Sequence, residues 1–237
     1  MDLIYTWILV VAAYLVGSIP TSYLLAHLVG GIDLRKYGSG NLGIANFSRQ
    51  FGRKWSALIV LFDVILKGCV PIVLASEKVF DLGIEVQILL GISTVIGHNW
   101  SIFLRFAGGR GMGPAIGIIG AFSIVLIATY MLVAYFVWLL MKITIKRPDS
   151  AIAWGVSVLL LPVYIQVIGL PDDLLLFSLA FLLLTITKRL LTNKPKSLFK
   201  EKGIRPFLLL LCVRLLLDRD SVNKEEWITQ LPIDARD

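Results

Sequence analysis

Two loops of the chain carry residues whose types and spacing suit the chemistry of an anion. The first reads Gly38-Ser39-Gly40-Asn41-Leu42-Gly43-Ile44-Ala45-Asn46, with Arg49 and Gly52 beyond it. Glycines admit positive φ and let backbone N–H groups approach a ligand closely. Ser39 and Asn41 add neutral hydrogen bonds, and Arg49 adds a charged fork. The second reads Gly97-His98-Asn99, then Arg105-Phe106-Ala107-Gly108-Gly109-Arg110-Gly111. It opens an apolar run whose helical N-terminus favours negative charge. Both loops suit a phosphate or a carboxylate. Each also reads as a basic turn against lipid head groups, and two such loops on one face favour the phosphate.

His98 has two readings, a hydrogen-bonded structural group at a helix end or a catalyst beside the second glycine loop. His27 has no such neighbours and reads as interfacial. Asp63 and Lys67, four residues apart, share a helical face and read as a structural ion pair, since charge at membrane depth is costly and pairs. No nucleophile–base pair, GxSxG, HExxH, Walker or zinc spacing is present. Cys69 and Cys212 lie in apolar runs as small packing residues, so neither a metal nor a cofactor is expected. An anion site without a nucleophile fits a transferase that aligns two substrates and lets one attack the other.

These loops must be held by elements of an unusual composition. Of 237 residues, 57% are hydrophobic and 16% charged, and the mean hydropathy is +0.82. Soluble domains are less apolar and more charged, so an ordinary water-soluble enzyme and a disordered chain are excluded. The expected fold is all-α, a polytopic integral membrane protein of about seven transmembrane helices. The net charge of +7 sits between apolar segments, where it orients the protein and does not imply nucleic acid. The expected spans are 3–28, 55–75, 86–103, two from the 30-residue run 112–141 broken near Gly120–Ser123, 150–168 and 174–191. The basic loops then face the cytoplasm. The run 206–217, interrupted by Arg214, is too short to cross and reads as an interfacial helix followed by a polar tail.

Gly17-Ser18-Ile19-Pro20, the loop 38–46 with Arg49, and Gly97-His98 followed by Gly108-Gly109-Arg110-Gly111 together resemble the PlsY family. These are the bacterial acyl-phosphate-dependent glycerol-3-phosphate acyltransferases. The resemblance runs from the first helix to about Leu191. It divides the chain into an acyltransferase-like membrane domain, 1–203, and an extension, 204–237. It implies a seven-helix enzyme of the plasma membrane with its active face cytoplasmic. The implied reaction moves an acyl group from acyl phosphate to the 1-hydroxyl of sn-glycerol 3-phosphate, giving lysophosphatidic acid. The acyl-phosphate-forming enzyme PlsX is the implied partner, alongside membrane lipid. By position, Arg110 and His98 become the catalytic residues. Ser39, Gly40, Asn41, Arg49, Gly108, Gly109 and Ser150 become the substrate-binding set.

Three departures stand out. Gly43-Ile44-Ala45-Asn46 lacks the threonine of the family's GATN, and Arg110 replaces the lysine of its GGKG. At the third motif, RHREN, this chain has Lys188-Arg189-Leu190-Leu191-Thr192, with arginine for histidine and Asn193 one place late. An alternative is therefore a non-catalytic family member acting as a membrane scaffold or regulator of lipid synthesis. An anion carrier would need polar residues through several spans, which the later helices lack.

Overall fold

The computed structural model describes residues 3–191 and 204–219. Every regular element among them is helical, as a chain in lipid requires when each segment must satisfy its own backbone. Apolar side chains cover the outside: Leu3, Ile4, Trp7, Leu132, Phe136, Val167 and Leu183 are all exposed. Among the described residues, five segments are long and apolar enough to cross a membrane: Leu3–Gly30, Arg53–Ala75, Ile84–Leu104, Ile124–Thr144 and Ser150–Ile168. The protein is an integral membrane protein. The packing divides the chain into two units, one running through Phe122 and one starting at Ser123.

In the first unit, the expected single helix 3–28 is two, α1 (Leu3–Ser18) and α2 (Thr21–Gly30). Pro20 lacks an N–H and its ring displaces the preceding turn, so the ladder stops there. After α2, a short 3-10 turn at Leu34–Lys36 leads through the first glycine loop to α3 (Ile44–Phe51). The rod 53–75 is α4 (Arg53–Val60), a π-helical stretch at Leu61–Cys69 and α5 (Val70–Ala75). Pro71, two residues past the widened turn, has no N–H to donate back along it. Asp63 and Lys67 lie within this stretch. Then come α6 (Ile84–Asn99) and α7 (Met112–Phe122).

Two interfaces assemble this unit. Along α1 and α6, Ser93 Oγ donates to the Val10 carbonyl at 2.9 Å and Tyr14 Oη to the Trp100 carbonyl at 2.9 Å. At their crossing, a Cβ on Gly97 would lie 2.2 Å from the Tyr14 carbonyl oxygen. This is the small-residue, hydrogen-bonded packing that replaces the hydrophobic drive in lipid, with bonds worth about 0.6 kcal/mol on average. The second interface sets α7 against the π stretch.

The second unit contains α8 (Ile124–Thr144), α9 (Ser150–Ile168), α10 (Leu174–Leu190) and α11 (Ile204–Leu217). The run 112–141 does break where expected. Ser123 is extended, and its Oγ accepts from Leu126 N at 3.2 Å, which caps α8. Such a cap is worth about 1 kcal/mol. The two pieces are unequal. The 21-residue α8 is long enough to cross, while the 11 residues of α7 span only about 16 Å of a ~30 Å core. Among the described residues, helix length supports five crossings and does not by itself establish the expected seven. The C-terminal helix forms where a short interfacial helix was expected, and it packs on both α9 and α10. Thr192, Asn193, the boundary at Gly203 and the tail past Arg219 lie outside the described residues.

Candidate functional site

One side chain organises the first glycine loop. The buried Asn46 amide nitrogen donates to three carbonyls, Leu34 at 3.3 Å, Tyr37 at 3.0 Å and Asn41 at 3.0 Å. Gly38 and Gly40 stand at φ +52° and +67°, a region that L side chains avoid. Gly40 N closes the turn on the Tyr37 carbonyl at 2.9 Å. Ser39 Oγ accepts weakly from Asn41 N at 3.4 Å, which leaves the hydroxyl proton for another acceptor. Arg49 stands exposed on α3 and makes no hydrogen bond or ion pair with the described residues. The desolvation imposed by neighbouring chain lowers its pKa, but a guanidinium remains charged. At the loop entrance, Asp33 and Arg35 pair at 2.7 Å. The bonds from Arg35 hold the Asp33 carboxyl below its ordinary pKa against the opposing effect of burial.

The second loop folds back on the end of α6. Gly109 N donates to the His98 carbonyl at 3.0 Å. A Cβ on Gly109 would lie 2.1 Å from His98 Nε2, so the imidazole rests directly on this glycine. Gly108 and Gly109 are buried, and Arg110 is half-buried. Arg105 and Phe106 both take positive φ in the tight return that brings the loop there.

The two loops meet. Leu34, Leu42 and Phe47 from the first pack in one small core with Leu104 from the second, and Ala107 lies against it. Leu42, His98, Gly108 and Gly109 also line a common cleft with Ser18, Pro20, Thr21, Ser22 and Asp63. The cleft measures about 10 Å³, room for one water molecule. Ser39, Gly40, Asn41, Arg49 and Arg110 belong to the two loops but do not line this cleft. Ser150 is the exposed first residue of α9, in the second unit.

The cleft contains residues that loop-centred reasoning overlooked. Pro20 breaks the first span between α1 and α2, and the Ile19 carbonyl at the break accepts from Lys67 Nζ at 2.5 Å. Lys67 also pairs with Asp63 at 2.6 Å, and Thr21 Oγ1 donates to Asp63 Oδ1 at 2.9 Å. The expected ion pair thus exists, and it fastens the π stretch to the break in the first span. Ser18 and Ser22 are buried, and their hydroxyls meet no hydrogen-bond partner among the described residues. Their signal in the sequence was the polar cluster Ser18–Ser22 inside an apolar span.

A family model described as glycerol-3-phosphate acyltransferase matches residues 7–196. The chain belongs to the glycerol-3-phosphate acyltransferase family. Glycerol-3-phosphate acyltransferase 5 of Dehalococcoides mccartyi is 32% identical, across 97% of this chain and 95% of its own length. Glycerol-3-phosphate acyltransferase 1 of Deinococcus radiodurans is 38% identical, across 63% of this chain and 74% of its own. Among solved structures, the chain is similar to PlsY (YgiH), an integral membrane glycerol 3-phosphate acyltransferase, in its glycerol 3-phosphate form. That likeness has a TM-score of 0.69 at 30% identity and covers 78% of this chain and 88% of the other. The lysophosphatidic acid form of PlsY gives 0.65 at 28% identity over the same shares. The family match takes in both glycine loops, Ser150 and Arg189, and it ends before α11.

Proposed function

We propose that the chain transfers an acyl group from acyl phosphate to the 1-hydroxyl of sn-glycerol 3-phosphate, at the cytoplasmic face of the plasma membrane. The observation that carries this reading is the convergence of two glycine-rich loops on one core, with the His98 ring seated on Gly109. Acyl phosphate is already activated. The acceptor hydroxyl attacks its carbonyl carbon, the new ester C–O bond forms, and the C–O bond to phosphate breaks. The hydroxyl proton ends on the departing phosphate, and the products are lysophosphatidic acid and inorganic phosphate.

The work left to the protein is alignment and stabilisation of developing negative charge. Arg110 and the backbone of Gly108 and Gly109 face the acyl phosphate, and His98 assists the proton transfer. Ser39, Gly40, Asn41 and Arg49 are acceptor-binding residues, and Ser150 is counted with the substrate-binding residues. An acyl-phosphate-forming enzyme such as PlsX supplies the donor, and the bilayer receives the product.

The test is purified protein in lipid with acyl phosphate and glycerol 3-phosphate, following phosphate release and the lipid product together. Turnover that falls in His98→Ala supports the reading. No turnover, with glycerol 3-phosphate still bound, favours the non-catalytic member, which the arginine at position 189 makes the natural second reading.

A further inference from the structure

The third motif of the family has a histidine where this chain has Arg189, and the structure gives that arginine a definite occupation. Arg189 Nη1 donates to the Leu215 carbonyl of α11 at 2.6 Å, and Nη2 donates to the Ala151 carbonyl of α9 at 2.7 Å. Gly155 makes room for it, since a Cβ there would lie 2.9 Å from Nη1. The partner helix answers in kind. Arg214 of α11, almost fully buried, donates through Nη1 to the Leu190 carbonyl at the end of α10. Each helix thus sends an arginine to the C-terminal carbonyls of the other, where unsatisfied acceptors and the negative end of the dipole favour a cation.

A third arginine completes the arrangement. Arg219 Nη1 pairs with Asp149 Oδ2 at 2.6 Å, and both side chains are buried. Asp149 is the N-cap of α9, its Oδ1 accepting from Ala151 N at 2.9 Å. The first turn of α9 is therefore held on both flanks of one exposed residue, Ser150. Asp149 is fixed by Arg219, and Ala151 by Arg189 through its carbonyl and by Asp149 through its N–H. Burying guanidinium groups is costly unless their donors are met, so this convergence of cations on one turn is a built feature.

We propose that α11 is a positioning element for Ser150, acting through Arg219 on Asp149 and through Arg189 on Ala151. Arg189 is then a positioning residue and transfers no proton in the reaction. The extension beyond the family match substitutes for part of the third motif by fixing the turn that presents Ser150. This rests on the reading of Ser150 as a substrate-binding group, here for the acceptor.

The experiment uses the full chain in lipid and compares Ser150→Ala, Arg219→Ala, Arg219→Lys and the double variant Ser150→Ala/Arg219→Ala. Ser150→Ala is expected to raise KM for glycerol 3-phosphate about tenfold, as for the loss of a hydrogen bond to a charged group. Arg219→Ala is expected to raise the same KM several-fold, because a displaced positioning group loses its contact, and to leave KM for acyl phosphate unchanged. Arg219→Lys should recover most of the loss, and the double variant should be no worse than Ser150→Ala. Hydrogen exchange at the amides of 150–153 should quicken in Arg219→Ala whether or not the protein turns over. Unchanged exchange there, or an unchanged KM in Arg219→Ala beside a raised one in Ser150→Ala, overturns the positioning role alone. An unchanged KM in Ser150→Ala removes Ser150 from the acceptor site, and the proposal with it.

Discussion

In the first glycine loop, conformation is held by the backbone and one neutral amide. Asn46 takes three carbonyls, two glycines take positive φ, and Arg49 stands exposed beside them. Around the first turn of α9 and the end of α10 the arrangement is reversed. There Arg189, Arg214 and Arg219 spend donors on carbonyls and a carboxylate of the chain itself. The first design fixes a loop without its cation, so the charge remains for a ligand. The second uses cations as internal fasteners, so removing one should be felt as stability or position. Lys67 belongs with the fasteners, although it lies in the same unit as the loops.

That contrast predicts which substitutions move stability and which move activity. The largest stability effect should come from Lys67→Met, which leaves the buried Asp63 without its cation. The expected cost is about 3–5 kcal/mol, read as a lowered unfolding temperature in detergent. Adding Asp63→Asn should recover much of it. A wild-type transition in the single variant would remove Lys67 from the fasteners.

The loop cations should behave in the opposite way. Arg110→Ala should cost about 2.7–4 kcal/mol of transition-state stabilisation, by analogy with loss of one preorganised donor, seen as slower phosphate release. Arg110→Lys restores the family residue and should keep substantial activity. Arg49→Ala should weaken glycerol 3-phosphate binding while changing stability by no more than about 0.5 kcal/mol, as for an exposed position. A large stability loss in Arg49→Ala would blur the distinction between the two designs.

The smallest effect is a pH dependence at the entrance to the first loop. The Asp33 carboxyl is held below the ordinary value of 3.8 by its bonds from Arg35. Its folded pKa lies below the unfolded one, so its contribution is full above about 3.8 and is lost as pH falls through the folded value. Asp33→Asn should lower neutral stability slightly and flatten the acid side of the profile, converging with wild type as pH falls through the folded value. An acid limb identical to that of wild type would show that this pair does not tie the loop entrance.

Much of the molecule was legible in the residues. Apolar runs with few charges can be satisfied in lipid only as helices, so the fold class followed from composition and hydropathy. The break near Gly120–Ser123 was readable because basic clusters flank the run on both sides, and the Asp63–Lys67 pair was readable from its spacing. The two glycine loops suggested the proposed anion site because glycine brings backbone donors close to a ligand and arginine adds charge.

Tertiary structure decided the rest, because it depends on contacts between residues far apart in the chain. No local pattern says that Leu42 and Leu104 share a core, or that Lys67 reaches the Ile19 carbonyl at the break before Pro20. The seating of α7 on the π stretch could not be read from a run that is apolar throughout, since hydropathy carries no record of which face packs against what. Arg189 looked like a damaged motif in sequence. Only the packing of α11 onto α9 and α10 gave its donors their acceptors, because a guanidinium takes its role from the oxygens that surround it.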